Sequence, residues 1–220
     1  MKTPFSASQF VDIIKDYNQT VFPMQIIFYL LGVVAIYLVI NPNAKSDKII
    51  SGMLAFLWLW MGIVYHYLFF TPVNPAAYLF GSAFILQAGL FLVFGVFQDR
   101  LSFRFAPDKF GITGVIFILF ALFMYPVLGY LFGNIYPAAP TFGLPCPTTI
   151  FTFGLLLLSH KKFPVAILLI PFIWSIIGFT ASFNFGMVED TGLLLAGLIT
   201  LPLLLLHNRM WVKNRLQILR

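Results

Sequence analysis

The sequence predicts an all-helical integral membrane protein with seven transmembrane helices. Two observations predict this class. Of the 220 residues, 60% are hydrophobic and 9% are charged, whereas a water-soluble domain carries roughly 25% charged residues. The apolar residues also fall into seven runs, and crossing the hydrocarbon layer takes about 20 apolar residues per helix. Seven such helices leave no room for a sizeable water-soluble domain.

Residues 1–20 are interpreted as a short interfacial helix that lies on the membrane. Phe10, Ile14 and Tyr17 fall near one face of a helix over residues 5–18, which is the pattern of an amphipathic surface helix. Ser6 followed by Gln9 has the spacing of a capping box, in which each residue satisfies a free backbone amide of the other. The helix is therefore expected to begin at Ser6.

Residues 21–206 form the predicted transmembrane domain. The seven apolar runs cover residues 22–40, 49–70, 76–97, 112–132, 148–159, 163–182 and 191–206. Pro171 and Pro202 lie within the last two runs, where they predict kinks that neighbouring helices accommodate.

The fifth run is too short to cross the membrane unaided. Its 12 residues cover about 18 Å at 1.5 Å per residue. The preceding segment, 133–147, contains four prolines, each of which removes a backbone hydrogen-bond donor. Part of this proline-rich segment is therefore expected to dip into the protein.

The basic residues predict the topology. Of the 13 lysines and arginines, two fall on one side of the predicted membrane, Lys2 and Lys15. The remaining 11 fall on the other: Lys45, Lys48, Arg100, Arg104, Lys109, Lys161, Lys162, Arg209, Lys213, Arg215 and Arg220. Excess positive charge marks the cytoplasmic side, which places the N-terminus outside and residues 207–220 in a basic cytoplasmic tail. The excess of basic residues on the cytoplasmic side explains the net charge of +6. We therefore expect the lipid bilayer, and not nucleic acid, to be the partner of this basic protein.

Seven residues are the candidate ligand-binding positions: His66, Asn74, Gln87, Cys146, Thr148, Thr149 and Trp174. His66 is either an interfacial histidine in an aromatic belt or a proton-handling group that faces an outward cavity. Cys146 precedes a helix N-terminus, where a thiol is either reactive or a small buried apolar residue. Gln87 and Trp174 lie near the expected midplane, where they either join helices or line a cavity.

Catalytic and metal-binding motifs are missing from the sequence. It contains no GxSxG, HExxH, P-loop or GxGxxG pattern, and the single cysteine excludes a CxxC site. Glu189 and Asp190 share the outer side with His66 and Cys146, but no pair has the spacing of metal ligands along the chain. We therefore expect no cofactor and leave a metal unassigned.

Residues 60–77 (WMGIVYHYLFFTPVNPAA) and 146–154 (CPTTIFTFG), with Phe10, Tyr17 and Asn18, resemble a family of uncharacterised bacterial multi-pass membrane proteins. That resemblance implies a multi-pass protein of the bacterial inner membrane and carries no established activity. The helical plan is also similar to that of the seven-helix PQ-loop transporters of sugars and amino acids, although the Pro-Gln dipeptide is absent.

Three functional hypotheses remain open. Kinking prolines, a broken fifth run and outward polar residues favour binding or transport of a small-molecule solute through an outward-facing cavity. The alternative is an accessory or assembly subunit that serves a membrane partner or a homo-oligomer. The third is an intramembrane metal-dependent enzyme, which the missing catalytic motifs disfavour.

Overall fold

The computed structural model describes residues 5–218, without the side chains of residues 181, 182, 214–216 and 218. Lys2, Arg220 and the side chain of Arg215 therefore lie outside the described part. Within it the protein is all-helical, as predicted, and contains no strand. The helices are α1 Ala7–Val21, α2 Met24–Ile40, α3 Ser46–Phe70, α4 Ala77–Phe97, α5 Lys109–Leu131, α6 Pro145–Leu157, α7 Ala166–Phe185 and α8 Thr191–Ile218.

Several of these helices are long and apolar enough to cross a membrane. Among the described residues they number five: α3, α4, α5, α7 and the segment Val188–Lys213 that contains most of α8. A sixth is added if α1 and α2, which meet at an angle of 83°, form one broken span. These lengths and compositions identify a membrane protein.

Helix α1 lies across one end of the bundle. Its capping box forms as predicted, because Ser6 Oγ accepts a hydrogen bond from the backbone of Gln9 at 3.2 Å and Gln9 Oε1 accepts one from the backbone of Ser6 at 2.9 Å. The apolar face expected to rest on the bilayer instead packs against protein, where Ile14 and Tyr17 are buried. The indole nitrogen of Trp60 donates a hydrogen bond to the Tyr17 hydroxyl at 2.9 Å, which ties α1 to α3.

Helix α6 occupies the centre of the bundle. It has 13 residues and packs against α3, α5, α7 and α8. Proline at its first turn suits a position whose backbone amide would have no helical partner. It crosses α5 closely at Gly114 and Gly154, since a Cβ on either glycine would stand 2.7 Å from the carbonyl oxygen of the other. Its shortness is accommodated because other helices surround it.

The proline-rich segment before α6 enters the protein, as predicted. Phe142 and Leu144 are buried. The side-chain amide of Asn18 donates hydrogen bonds to the carbonyls of Pro137 and Ala139 at 2.7 and 2.8 Å. Helix α1 thus holds this segment over the end of the bundle.

The opposite end of the bundle carries the basic connections. Arg104 forms an ion pair with Asp47 at 2.6 Å, and the backbone amide of Arg104 donates to the carbonyl of Leu158 at 2.9 Å. The side chain of Asn208 on α8 accepts a hydrogen bond from the backbone amide of Phe163 and donates one to the carbonyl of Phe163. Helix α8 continues past Leu206 to Ile218, so residues predicted as a tail are largely helical.

Candidate functional site

A partly open cavity of about 180 Å³ lies beneath α1, at the end of the bundle opposite the basic connections. Most of its walls are apolar. The apolar side chains come from Phe5 and α1, from α3, α4, α5 and α7, and from the segment leading into α6 and its first turn. They include Phe5, Phe10, Ile14, Tyr65, Phe70, Phe80, Tyr125, Pro140, Leu144, Trp174, Ile177 and Phe185. The cavity thus sits where α1 and the proline-rich segment cover the bundle.

Asp190 and Tyr125 form a polar pair in the cavity wall. The backbone reverses after α7 at Gly186, whose φ of 73° is left-handed, and the turn Val188–Asp190 then brings Asp190 to the start of α8. Asp190 is 2% exposed, and it accepts a hydrogen bond from the hydroxyl of Tyr125 on α5. The pair fixes the carboxylate at the edge of the cavity.

Cys146 and Trp174 approach each other at Gly178, in another part of the cavity wall. A Cβ on Gly178 would stand 3.4 Å from the sulfur of Cys146 and 3.3 Å from the indole nitrogen of Trp174. Trp174 is 8% exposed, and its indole nitrogen has no oxygen or nitrogen acceptor among the described residues. The polar atom that interacts with this N–H is the sulfur of Cys146, which is a weak acceptor, so an oxygen atom of a solute in the cavity would be a stronger one.

His66 lies one layer behind the cavity. It is fully buried and packs against the rings of Phe84 and Trp174, with centroid distances of 4.7 and 5.2 Å. Neither of its ring nitrogens has a partner among the described residues. The structure therefore surrounds His66 with protein, behind the wall of the cavity and not in its lining.

The remaining predicted residues divide between the cavity and the helix contacts. Asn74 lines the cavity, and its Oδ1 accepts from the backbone of Ala76 at 3.1 Å. Gln87 donates to the carbonyl of Ile167 at 3.0 Å and so joins α4 to the start of α7. Thr148 accepts from the backbone of Gly143 at 3.1 Å, whereas the buried hydroxyl of Thr149 has no partner among the described residues. The structure thus brings Asn74, Cys146 and Trp174 together at the cavity and leaves Gln87, Thr148 and Thr149 outside its lining.

Sequence reasoning missed Tyr65 and Tyr125 as cavity residues, and it considered Asp190 only for a metal site that it left unassigned. A tyrosine inside an apolar run is a usable signal, because its hydroxyl needs a partner when it is buried. Tyr125 fits this signal, since it lies within the predicted fourth run. Its partner, 65 positions further along the chain, is visible only in the fold.

The residues considered for a metal do not form a ligand set. Within the described part of the chain, no three His, Cys, Asp or Glu side chains come close enough to share a metal ion. Glu189 does not line the cavity, and it accepts a hydrogen bond from Asn134 at 3.1 Å. Asp190 and Cys146 are in contact, because the thiol of Cys146 donates a hydrogen bond to the carboxylate, but no third ligand joins them among the described residues.

The fold and the cavity define a helical membrane protein with a small, mostly apolar cavity at one end. The chain belongs to the family of unknown function DUF6064, whose sequence profile matches residues 7–215. The predicted membership of an uncharacterised family is thereby confirmed, and the similarity to PQ-loop transporters stays a prediction. Neither a curated protein nor a solved structure shows significant similarity to this chain.

Proposed function

We propose that the protein binds a small solute in the cavity beneath α1. The observation that carries this proposal is a small group of polar side chains in a mostly apolar cavity: the Asp190–Tyr125 pair and the indole N–H of Trp174, for which the described residues offer no oxygen or nitrogen acceptor. Ligand sites combine apolar walls with a few convergent polar groups in this way. An apolar cavity of about 150 Å³ admits benzene, so a volume of about 180 Å³ suits a solute near the size of one ring.

The proposed orientation has seven crossing helices, α2 to α8, with the cavity facing outward across the bacterial inner membrane. The positions of the charges support it. Arg104, Lys161 and Arg209 belong to the end opposite the cavity, and cytoplasmic loops carry the excess of lysine and arginine. Because α6 is enclosed by other helices, a helix of its length is compatible with this arrangement.

Transport is the second candidate function. Three helices contain π-helical segments, Met61–Phe70, Leu92–Phe97 and Phe120–Met124. Helices α7 and α8 contain Pro171 and Pro202. Such interruptions bend helices and are frequent at functional sites, so they favour a bundle that changes shape around its solute.

A matched pair of variants at one position tests binding. Cys146→Phe extends a ring into the cavity, whereas Cys146→Ala leaves the space open. The full-length protein in detergent is screened for thermal stabilisation by amines, carboxylic acids, sugars and neutral aromatic compounds of one-ring size. We expect at least one compound class to stabilise the unmodified protein and Cys146→Ala, and to leave Cys146→Phe unchanged.

The outcome also separates the alternative roles. A stabilising compound that then accumulates in proteoliposomes supports transport, whereas stabilisation without accumulation supports binding alone. Equal responses of the two Cys146 variants would refute the cavity as the binding site. A protein that responds to none of the compounds and co-purifies with a fixed partner would instead be an accessory subunit.

A further inference from the structure

We infer that the solute is a small organic cation, an ammonium or amine about the size of choline, held between the carboxylate of Asp190 and the aromatic rings of the cavity. This inference names the ligand class of the site proposed above and therefore rests on that proposal. It follows from two independent properties of the cavity, its charge and its ring lining.

The described lining of the cavity carries one acidic side chain, Asp190, and no basic one. The described ion pairs, Arg104 with Asp47 and Lys161 with Asp99, lie at the opposite end of the bundle, and Lys15 on α1 is exposed. A buried carboxylate without a counter-ion is unfavourable. A bound cation supplies the counter-ion that the described residues do not.

Aromatic rings form much of the remaining wall. Tyr65 stacks on Phe70 with centroids 5.7 Å apart, and Phe80 meets Trp174 edge-to-face at 5.5 Å. All four rings line the cavity. Ring faces attract a cation, and cages of such rings recognise quaternary ammonium groups. Apolar walls alone would also suit a neutral molecule, but a neutral molecule supplies no counter-ion for the carboxylate of Asp190, and that carboxylate repels an anion.

The polar groups beside Asp190 fit a cation that also carries an oxygen. The hydroxyl of Tyr125 donates to the carboxylate and holds it in place. The indole N–H of Trp174 is a donor without an oxygen or nitrogen acceptor among the described residues, so it is suited to a hydroxyl or carbonyl oxygen of the same solute. Choline combines both features and serves as the probe.

The chain provides its own reporter, because Cys146 is its single cysteine and lines the cavity. Two methanethiosulfonate reagents of similar size, one with a trimethylammonium group and one with a sulfonate group, are reacted with the full-length protein. Labelling rates are read by mass spectrometry and divided by the rates for 2-mercaptoethanol. We expect this normalised labelling rate to be roughly tenfold or more higher for the cationic reagent than for the sulfonate reagent, since a charged cavity with low-dielectric walls concentrates opposite charge.

Two neighbouring carboxyl variants locate the source of this preference. Asp190→Asn is expected to return the ratio to the free-thiol value, whereas Glu189→Gln keeps the preference, because Glu189 does not line the cavity. A second measurement needs no variant. Choline is expected to slow labelling of the unmodified protein by neutral methyl methanethiosulfonate, and its uncharged isostere 3,3-dimethylbutan-1-ol is not.

The possible results distinguish the two proposals. Labelling of the native protein with no preference for the cationic reagent, or equal protection by choline and its isostere, would overturn the cation and leave solute binding standing. A preference that survives in folded Asp190→Asn would also overturn the assignment to Asp190. Labelling only after unfolding in detergent would show a closed cavity and overturn both proposals.

Discussion

The imidazole of His66 packs edge-to-face against the indole of Trp174, with ring centroids 5.2 Å apart. Trp174 lines the cavity and His66 lies behind it. His66 is thus placed to fix the position of a cavity residue by packing. Neither nitrogen of its ring has a hydrogen-bond partner in the part of the chain that the structure describes, which is an unfavourable feature of that packing.

His66→Leu is expected to keep the protein folded and able to bind its solute. The leucine has a similar volume and removes two buried nitrogens that find no partner among the described residues, so we expect a change in unfolding free energy below about 1.5 kcal/mol. His66→Ala, by contrast, leaves a void behind Trp174 and is expected to destabilise the protein by about 2–5 kcal/mol. Reversible unfolding in mixed micelles measures both. Loss of solute binding in a stable His66→Leu protein would show that the imidazole itself contacts the solute.

Asn18 is expected to control how firmly α1 covers the cavity. Asn18→Ala removes the hydrogen bonds to the carbonyls of Pro137 and Ala139 and leaves buried polar groups unpaired, which costs about 1–3 kcal/mol. Hydrogen exchange should accelerate in α1 and in residues 137–144 and remain unchanged in α6. The control is Asn184→Ala, an exposed asparagine near the end of α7, which should leave exchange in α1 unaltered. Equal exchange in both variants would contradict a clamping role for Asn18.

The helices and their order were predictable from hydropathy, because each apolar run must be long enough to serve as a helix in the bilayer. The third run was predicted over residues 76–97 and the helix spans Ala77–Phe97. The short fifth run correctly indicated a helix that needs protein around it, and Ser6 with Gln9 marked the start of α1. These features depend on neighbouring residues along the chain, which the sequence displays directly.

The site was less predictable because its contacts join distant positions. The hydrogen bond from Tyr125 to Asp190 crosses from α5 to α8, and no spacing along the chain encodes it. The apolar face of α1 was recognised, but periodicity alone does not say whether bilayer or protein covers that face. The burial of His66 was not predictable for the same reason: its surroundings come from Phe84 and Trp174 on two other helices.

Reporter fusions should confirm the proposed orientation. A fusion after Leu206 is expected to be active with a cytoplasmic reporter such as green fluorescent protein and inactive with exported alkaline phosphatase. A fusion after Gly133, at the cavity end of α5, should give the reverse pattern. The physical reason is the concentration of basic residues at the other end of the bundle. Phosphatase activity after Leu206 would invert the orientation and place the cavity on the cytoplasmic side.

The crossing of α5 and α6 is expected to be the part of the bundle that is least tolerant of added volume. In Gly154→Ala, the new Cβ would stand 2.7 Å from both the carbonyl oxygen of Gly114 and Cγ1 of Ile118. The two helices must then separate, because a backbone oxygen cannot move aside as a flexible side chain does, and we expect a loss of about 1–3 kcal/mol in unfolding free energy. Gly89→Ala is the matched control, since a Cβ at Gly89 in α4 would meet nothing within 4 Å. It should be neutral or stabilising by up to about 1 kcal/mol, because alanine favours a helix over glycine. Equal unfolding free energies for the two variants would show that α6 is not held against α5 at Gly114.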